Sequence, residues 1–326
     1  MPQIYYSHAI RQAIEEEMER DERVILLGED IAGYGGAFKT TEGIVDRFGP
    51  ERVRNTPISE GGFVGVAVGA ALTGLRPIVE IMFMDFITLA MDQLANHAAK
   101  LRYQFGTQAT VPLVLRTPAG AGRGYGPTHS QSLEKWLLAT PGLIVLAPST
   151  AAEAKGLLKS AIRCDDPVIF IESKILYGQR GQVPEGDFVT PIGEAAVVRP
   201  GDDITIVSYS RMTCESLKAA EALAEHEISA EVIDLRTLSP MDTDTVAASV
   251  ERTGKLLVAE EGTLSCGIGA EVVARIADTC FDYLAAPPRR VAALDIPVPA
   301  GRVLEDAATP NWESIGRAAA ELVRSY

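Results

Sequence analysis

The chain has 326 residues, enough for two domains of ordinary size, and its 47% apolar and 23% charged residues are typical of a globular protein. Its formal net charge of −14 argues against a nucleic-acid backbone or an anionic membrane surface as a partner. The N-terminus lacks the pattern of a secretion signal and no apolar run is long enough to cross a bilayer, so we expect a cytoplasmic location. The four cysteines lack C-x-x-C spacing, which favours reduced thiols over a disulfide framework.

Strand and helix patterns alternate through the first 185 residues. Helical spacing near residues 7–20 precedes a buried strand in RVILLGED, and a strand ending in Pro57-Ile58-Ser59 precedes a glycine-rich helix. A helix is predicted over FITLAMDQLANHAAKLRY, and further strands in IVEIMFM, VPLVLRT, LIVLAPS and VIFIES. This alternation predicts a parallel sheet covered by helices.

The pattern stops and then restarts in the second half. Residues 174–202 are rich in glycine and proline and carry no clear period, so we predict a linker at 186–202 between domains at 1–185 and 203–326. Strands are then expected in ITIVSYS, AEVIDLR and LLVAEE, with helices between them and at the C-terminus. The predicted fold class is α/β, with two parallel-sheet domains.

Glu60 is the most informative single residue. It falls at the predicted corner between a strand and the glycine-rich helix, beside Gly61 and Gly62. Glycines there allow another backbone or a flat ligand to approach, and a poorly solvated carboxylate tends to seek a protonated partner. The alternative is an ordinary acidic residue complementing a helix dipole. The small residues along the same helix favour close packing, either within the domain or against another subunit.

Two other places carry residue types suited to chemistry. Phe86, with Met82 four residues before it, is expected at the end of a strand, where it forms either core or the wall of a pocket. His129 follows a loop with a glycine at every second position from 120 to 126 and is expected to begin a helix. A histidine on such a loop suits acid–base chemistry near neutral pH.

Seven segments in order resemble the beta subunits of the first, decarboxylating component of 2-oxo acid dehydrogenase complexes. They are GEDIAGYGG, TPISE, GLRPIVEIMFMDF, THSQSLEKW, PGLIVLAPST, DDPVIFIESKILY and EVIDLRTLSPMD. The resemblance covers nearly the whole chain. It implies a thiamine-diphosphate-binding fold of the pyrimidine type, followed by a domain similar to the transketolase C-terminal domain. It also favours a subunit interface on the glycine-rich helix.

The resemblance assigns roles to matching positions. Glu60 would bind the pyrimidine nitrogen of thiamine diphosphate and promote the imino tautomer that acts as the internal base. The carbonyl of Ile58, the ring of Phe86 and the side chain of Met82 would complete the pyrimidine site. His129 would lie in the active-site channel and serve acyl transfer to a lipoyl group.

The diphosphate half of such a site is missing from the sequence. Gly201-Asp202-Asp203 is not the family's G-D-G motif and no suitable asparagine follows it. We therefore expect an alpha subunit to supply the diphosphate site and most ligands of Mg²⁺, in an α2β2 heterotetramer. Some family members also hold potassium with backbone carbonyls, and the matching positions are Leu113, Ala161, Ile162, Cys164 and Asp166.

The resemblance implies oxidative decarboxylation of a 2-oxo acid, with acyl transfer to a lipoyl-bearing dihydrolipoyl acyltransferase. Segments such as GGAFKTTEG favour the pyruvate dehydrogenase type. Acetoin and branched-chain 2-oxo acids stay open as substrates. A non-catalytic scaffold of the same fold is the alternative of another class.

Overall fold

The computed structural model describes residues 1–325. The chain divides into two compact units, an N-terminal unit formed by Met1–Ala119 with Trp136–Ile192 and a C-terminal unit formed by Gly120–Lys135 with the chain from Gly193 onward. Within the described residues, no helix combines the length and hydrophobicity needed to cross a bilayer.

The N-terminal unit is built on parallel strands in the order β6-β7-β5-β4-β2-β3. Two short strands, β1 and β8, form a separate antiparallel pair. The central strands are buried along their whole length, as expected for strands covered on both faces. The strands are β1 (Gln3–Tyr5), β2 (Val24–Gly28), β3 (Val53–Asn55), β4 (Arg76–Glu80), β5 (Val114–Ala119), β6 (Ile144–Leu146), β7 (Val168–Ser173) and β8 (Arg180–Gln182).

Helices connect these strands. The helices are α1 (Tyr6–Arg20), α2 (Ile44–Phe48), α3 (Glu60–Leu72), α4 (Ala99–Phe105), α5 (Glu134–Leu138) and α6 (Ala151–Arg163). Helix α6 begins at Ala151, where the Thr150 hydroxyl accepts a hydrogen bond from the Glu153 amide at 3.2 Å. Short 3₁₀ helices cover Met84–Leu89, Gly106–Gln108 and Leu176–Gly178, and a π-helix covers Gln93–Ala98.

The C-terminal unit has a sheet in the order β14-β13-β10-β11-β9, in which only β9 pairs antiparallel among the described strands. Its core lies between this sheet and helices α7 and α11. The strands are β9 (Ala196–Arg199), β10 (Ile204–Ser208), β11 (Ala230–Asp234), β12 (Thr237–Ser239), β13 (Leu256–Thr263) and β14 (Arg289–Ala293). The helices are α7 (Arg211–Ala224), α8 (Thr243–Thr253), α9 (Ile268–Thr279), α10 (Arg302–Ala308) and α11 (Trp312–Ser325), with a 3₁₀ helix at Phe281–Tyr283.

Several sequence-based boundaries were wrong. Strand β3 ends at Asn55, so Pro57-Ile58-Ser59 is loop. The helix predicted from Phe86 is broken into a 3₁₀ helix, a π-helix and α4. His129 does not begin a helix, because α5 starts at Glu134. The stretch predicted as a linker contains β9, which pairs with β11 and is therefore part of the second sheet.

Candidate functional site

The carboxyl ends of the parallel strands in the N-terminal unit define the first candidate site. The chain order reverses at β2 and β4, since β3 follows on one side and β5 on the other. Ligands of open α/β sheets bind outside the carboxyl ends at such a reversal. The residues that follow β2, β3 and β4 include Glu29, Glu60, Met82 and Phe86.

Glu60 is the first residue of α3 and is only 5% exposed. Glu29, directly after β2, lies close enough for the two negative charges to interact. Burial, together with the charges of Glu60 and Asp30, raises the pKa of Glu29 above its ordinary value. Within residues 1–325, Glu29 Oε1 is buried without a hydrogen-bond partner. Two buried carboxyl groups here suit a ligand that donates hydrogen bonds from a polar ring.

Glu29 was not predicted from the sequence. The signal was present, because an acidic residue directly after a buried strand lies at the ligand-binding edge of a parallel sheet.

Phe86 and Met82 are half-buried, so they are not simply core residues. Strand β4 already ends at Glu80, and Phe86 lies on the following 3₁₀ helix instead of at the strand end. Its ring meets Phe83 edge to face, with centroids 6.2 Å apart. Ile58 is 83% exposed, on the loop before α3. The half-exposed rings that follow β4 therefore suit the face of a flat heteroaromatic ligand such as an aminopyrimidine.

A row of aromatic rings joins Phe86 to a buried ionic network. Phe83 contacts Phe38 at 5.6 Å between centroids, Phe38 contacts Tyr177 at 5.1 Å, and the Tyr177 hydroxyl donates to Glu172 at 2.6 Å. Lys174 Nζ lies 5.3 Å from the Phe83 ring centroid. These contacts fix the half-exposed rings from behind.

The centre of that network is Arg116 on β5. Its guanidinium donates to Glu172 at 2.7 Å and to Glu80 at 2.8 Å, and all three side chains are buried. Burial opposes the charge of Arg116, but the two carboxylates outweigh it and raise the pKa of the guanidinium. The network ties together strands β4, β5 and β7, which support the site.

Helix α3 has two different sides. A Cβ at Gly61 would lie 2.9 Å from the Leu89 carbonyl, and one at Gly65 would lie 3.2 Å from the Gln93 side chain. These glycines therefore allow close packing inside the unit. A Cβ at Gly69 would meet nothing within 4 Å, and Val66 and Leu72 are exposed.

His129 lies in the C-terminal unit, on a loop closed by a 3.3 Å bond from the Gly120 amide to the Gln131 carbonyl. The loop glycines all have positive φ, between 69° and 96° at positions 120, 122, 124 and 126. This conformation explains the glycine at every second position. His129 is half-buried, and its Nδ1 is 3.0 Å from the Thr128 hydroxyl.

The C-terminal unit also contains a cavity of about 480 Å³ beside this loop. Pro127, Ser130 and Gln131 line one side, and residues of β13, β14 and the following segment line the other. Burial raises the pKa of Glu134 to about 8, and burial raises the pKa of Glu260 to about 7. Neither residue was singled out from the sequence, because burial in a fold leaves no local pattern.

Gly201-Asp202-Asp203 is a structural turn before β10. The amides of both aspartates donate to the Ser229 carbonyl, and the Ser229 amide donates to Asp203 at 2.7 Å. Across residues 1–325, no group of three or more acidic, histidine or cysteine side chains is placed to hold a metal ion. The Mg²⁺ expected with the cofactor therefore has no side-chain cluster in the described part of this chain.

The positively charged side chain of Arg76 lies beside carbonyls that were matched to a potassium site. Arg76 Nε donates to the Ile162 carbonyl at 2.7 Å, and Arg76 Nη2 donates to the Cys164 carbonyl at 2.5 Å. The Leu113 carbonyl accepts from the Val168 amide at 2.8 Å. The oxygen donors suit a hard cation, but the guanidinium opposes a second positive charge.

Two family models match the chain, one in each half of the sequence. The model described as "Transketolase, pyrimidine binding domain" matches residues 2–179, and "Transketolase, C-terminal domain" matches residues 193–315. A solved "Split gene transketolase, inactive beta4 tetramer" has a TM-score of 0.82 at 23% identity, covering 98% of this chain and 99% of that one. The fold is thus that of the transketolase class.

Curated relatives narrow this class. Pyruvate dehydrogenase E1 component subunit beta-1, mitochondrial, of Arabidopsis thaliana is 47% identical, over 95% of this chain and 86% of its own length. The E1 component subunit beta of Porphyra purpurea is 45% identical over 100% of this chain and 98% of its own. That of Rickettsia felis is 45% identical over 96% of both. The chain belongs to the family of pyruvate dehydrogenase E1 component beta subunits.

Proposed function

We propose that this chain is the beta subunit of a pyruvate dehydrogenase E1 component, which decarboxylates pyruvate oxidatively and transfers the acetyl group to a lipoyl group. The observation that supports this most directly is the buried carboxyl group of Glu60, the first residue of α3, which follows β3 at the carboxyl edge of the sheet. The relatives reported above are all named as pyruvate dehydrogenase subunits. Nothing observed favours acetoin, a branched-chain substrate or a non-catalytic scaffold.

Thiamine diphosphate, when bound, supplies the carbon nucleophile and the electron sink for loss of carbon dioxide. In our proposal, the Glu60 carboxyl group holds a proton at the pyrimidine ring nitrogen and tunes its basicity. Phe86 stacks on that ring, Met82 forms a wall of the pocket, and the Ile58 carbonyl accepts a hydrogen bond from it. His129 orients the lipoyl group and moves a proton during acyl transfer.

We propose an alpha subunit as the partner, in an α2β2 heterotetramer, with the diphosphate and Mg²⁺ held mainly by that subunit. The open side of α3 supports this arrangement, since Val66, Leu72 and the nearby Ile58 are large apolar side chains exposed to solvent. Replacing Val66 by Glu should prevent assembly with the alpha subunit and leave the beta chain folded. Sedimentation of the mixed chains measures the first effect and circular dichroism the second.

Potassium at the carbonyls of Leu113, Ala161, Ile162, Cys164 and Asp166 remains a separate proposal. A potassium ion there must tolerate the adjacent Arg76 guanidinium, so we expect weak binding. Thermal unfolding in potassium, sodium and choline chloride at equal ionic strength is the test. Selective stabilisation by potassium supports the site, and equal melting temperatures reject it.

A cytoplasmic location is also proposed. The proposal rests on the cysteine spacing, which favours reduced thiols over a disulfide framework. Cell fractionation with an antibody against the chain tests this location.

The proposed activity has a direct test. The chain is mixed with its alpha partner, thiamine diphosphate and Mg²⁺, and reduction of an artificial electron acceptor is followed with pyruvate, branched-chain 2-oxo acids and acetoin in turn. We expect the highest kcat/KM with pyruvate. A higher value with another substrate would reassign specificity, and no reduction with any of them would favour the scaffold.

A further inference from the structure

The loop that carries His129 needs an external support. Four glycines with positive φ lie within seven residues, and glycine loses more conformational entropy on ordering than any other residue. The closing hydrogen bond between Gly120 and Gln131 is long, at 3.3 Å. Something besides the loop itself must hold this backbone in one conformation.

Glu305 on α10 provides that support. Its side chain is fully buried, and its two oxygens accept hydrogen bonds from two loop amides, Oε1 from Gly122 at 2.8 Å and Oε2 from Gly124 at 2.9 Å. Hydrogen bonds to an ionised carboxylate are stronger than neutral ones, and two oxygens fix orientation as well as distance. Glu261 adds a third bond, from the Ala121 amide to Oε1 at 2.8 Å.

The segment before α10 contacts the same loop. A Cβ at Gly124 would lie 3.2 Å from the Ala300 carbonyl, and one at Gly126 would lie 3.4 Å from the Ala300 Cβ. The Gly126 carbonyl then accepts a hydrogen bond from the His129 amide at 3.4 Å. The loop backbone therefore connects the Gly124 amide, which Glu305 holds, to Gly126 and its hydrogen bond with His129.

We propose that Glu305 is a positioning residue for His129, and that it acts by holding the amides of Gly122 and Gly124. The proposal rests on the proposed role of His129 in acyl transfer. It predicts that loss of the Glu305 carboxylate impairs transfer to the lipoyl group far more than decarboxylation, because Glu60, Phe83 and Phe86 belong to the other unit.

The test uses the enzyme assembled from both subunits with thiamine diphosphate, Mg²⁺ and a lipoyl domain. Variants Glu305→Gln, His129→Ala and their combination are compared in two assays, pyruvate-dependent reduction of an artificial acceptor and acetylation of the lipoyl domain. Glutamine keeps the shape of the side chain, but its NH₂ group cannot accept the hydrogen bond that a loop amide donates to Glu305. Asp306→Asn is the matched control, since this neighbour is exposed and pairs only loosely with Arg302, at 3.7 Å.

Glu305→Gln should lower kcat for lipoyl acetylation by roughly tenfold or more and change acceptor reduction by less than about threefold. In the His129→Ala background it should cause no further loss, which a merely structural role would not predict. Equal losses in both assays, additive losses in the double variant, or no loss would each overturn the proposal. If His129→Ala acetylates the lipoyl domain at the wild-type rate, His129 has no role in acyl transfer and this inference fails with it.

Gly124→Ala keeps the test decisive if Glu305→Gln does not fold. It disturbs the same hydrogen bond from the loop side, where φ is +69° and a Cβ would contact the Ala300 carbonyl. The same selective loss of lipoyl acetylation is expected. Loss of both activities together would contradict the proposal.

Discussion

Buried acidic residues have different partners in the two units. In the N-terminal unit, buried Glu80 and Glu172 are neutralised by Arg116, and Glu60 is left at the sheet edge. In the C-terminal unit, Glu305 accepts hydrogen bonds from backbone amides, and burial favours the neutral form of Glu134. The partner that donates to the carboxyl group therefore decides whether it supports a sheet, holds a loop or remains available for a ligand.

The availability of Glu60 gives the largest expected effect. Glu60→Gln keeps the size of the side chain but cannot hold the proton, so we expect turnover of the assembled enzyme to fall by about 10³-fold or more. Acceptor reduction with pyruvate measures the loss. The control is Glu51→Gln, whose wild-type side chain is 87% exposed. Assembly and melting temperature should not change, and retained turnover would remove Glu60 from the mechanism.

Arg116→Met tests the opposite use of acidic residues in the same unit. The substitution leaves Glu80 and Glu172 buried without their cation, so we expect a loss of about 3–5 kcal/mol in the free energy of unfolding. Urea denaturation followed by circular dichroism measures it. Arg47→Met, at an exposed pair of salt bridges with Glu15 and Glu19, should cost less than about 1 kcal/mol. Equal costs for the two variants would mean that the buried network contributes no special stability.

These contrasts explain which features the sequence could reveal. Glu60 was recognisable because a strand pattern, a glycine-rich helix and a family-like segment meet at one point. Glu305 was not, because it is 183 residues from Gly122 and such long-range partners leave no periodic signal. The break between Phe86 and Phe105 was also hidden, since apolar spacing continues through a segment whose backbone changes from 3₁₀ to π to α hydrogen bonding.

We expect Glu134 to make the stability of the C-terminal unit depend on pH. Its pKa of about 8 in the folded chain lies above the unfolded value, so folding favours the protonated form. Its stabilising contribution is complete at low pH and is lost as the pH rises from about 5 through 8. We expect Glu134→Gln to be more stable than the parent at pH 8, by on the order of 2 kcal/mol, and similar to it at pH 5.

Thermal unfolding at pH 5, 6, 7 and 8 measures this difference. The exposed Glu251 provides the matched control, because Glu251→Gln makes the same chemical change at the surface. A constant gap between Glu134→Gln and the parent would show that Glu134 does not titrate differently in the folded chain.

The smallest effect concerns the ring behind Phe86. Phe83→Leu keeps an apolar side chain but removes the edge-to-face contact with Phe86 and the contact with Phe38, together worth about 0.5–1.5 kcal/mol. If Phe83 fixes the stacking ring, the apparent Kd for thiamine diphosphate in the assembled enzyme should rise by about two- to twelvefold, with kcat little changed. Phe105→Leu, at an exposed ring outside this row, should leave the apparent Kd unchanged. If Phe83→Leu lowers kcat and leaves the affinity unaltered, the rings do not act by holding the cofactor. Binding of the cofactor at the sheet edge would then depend on the carboxyl groups and not on the rings. Buried carboxyl groups would be the main functional feature of both units.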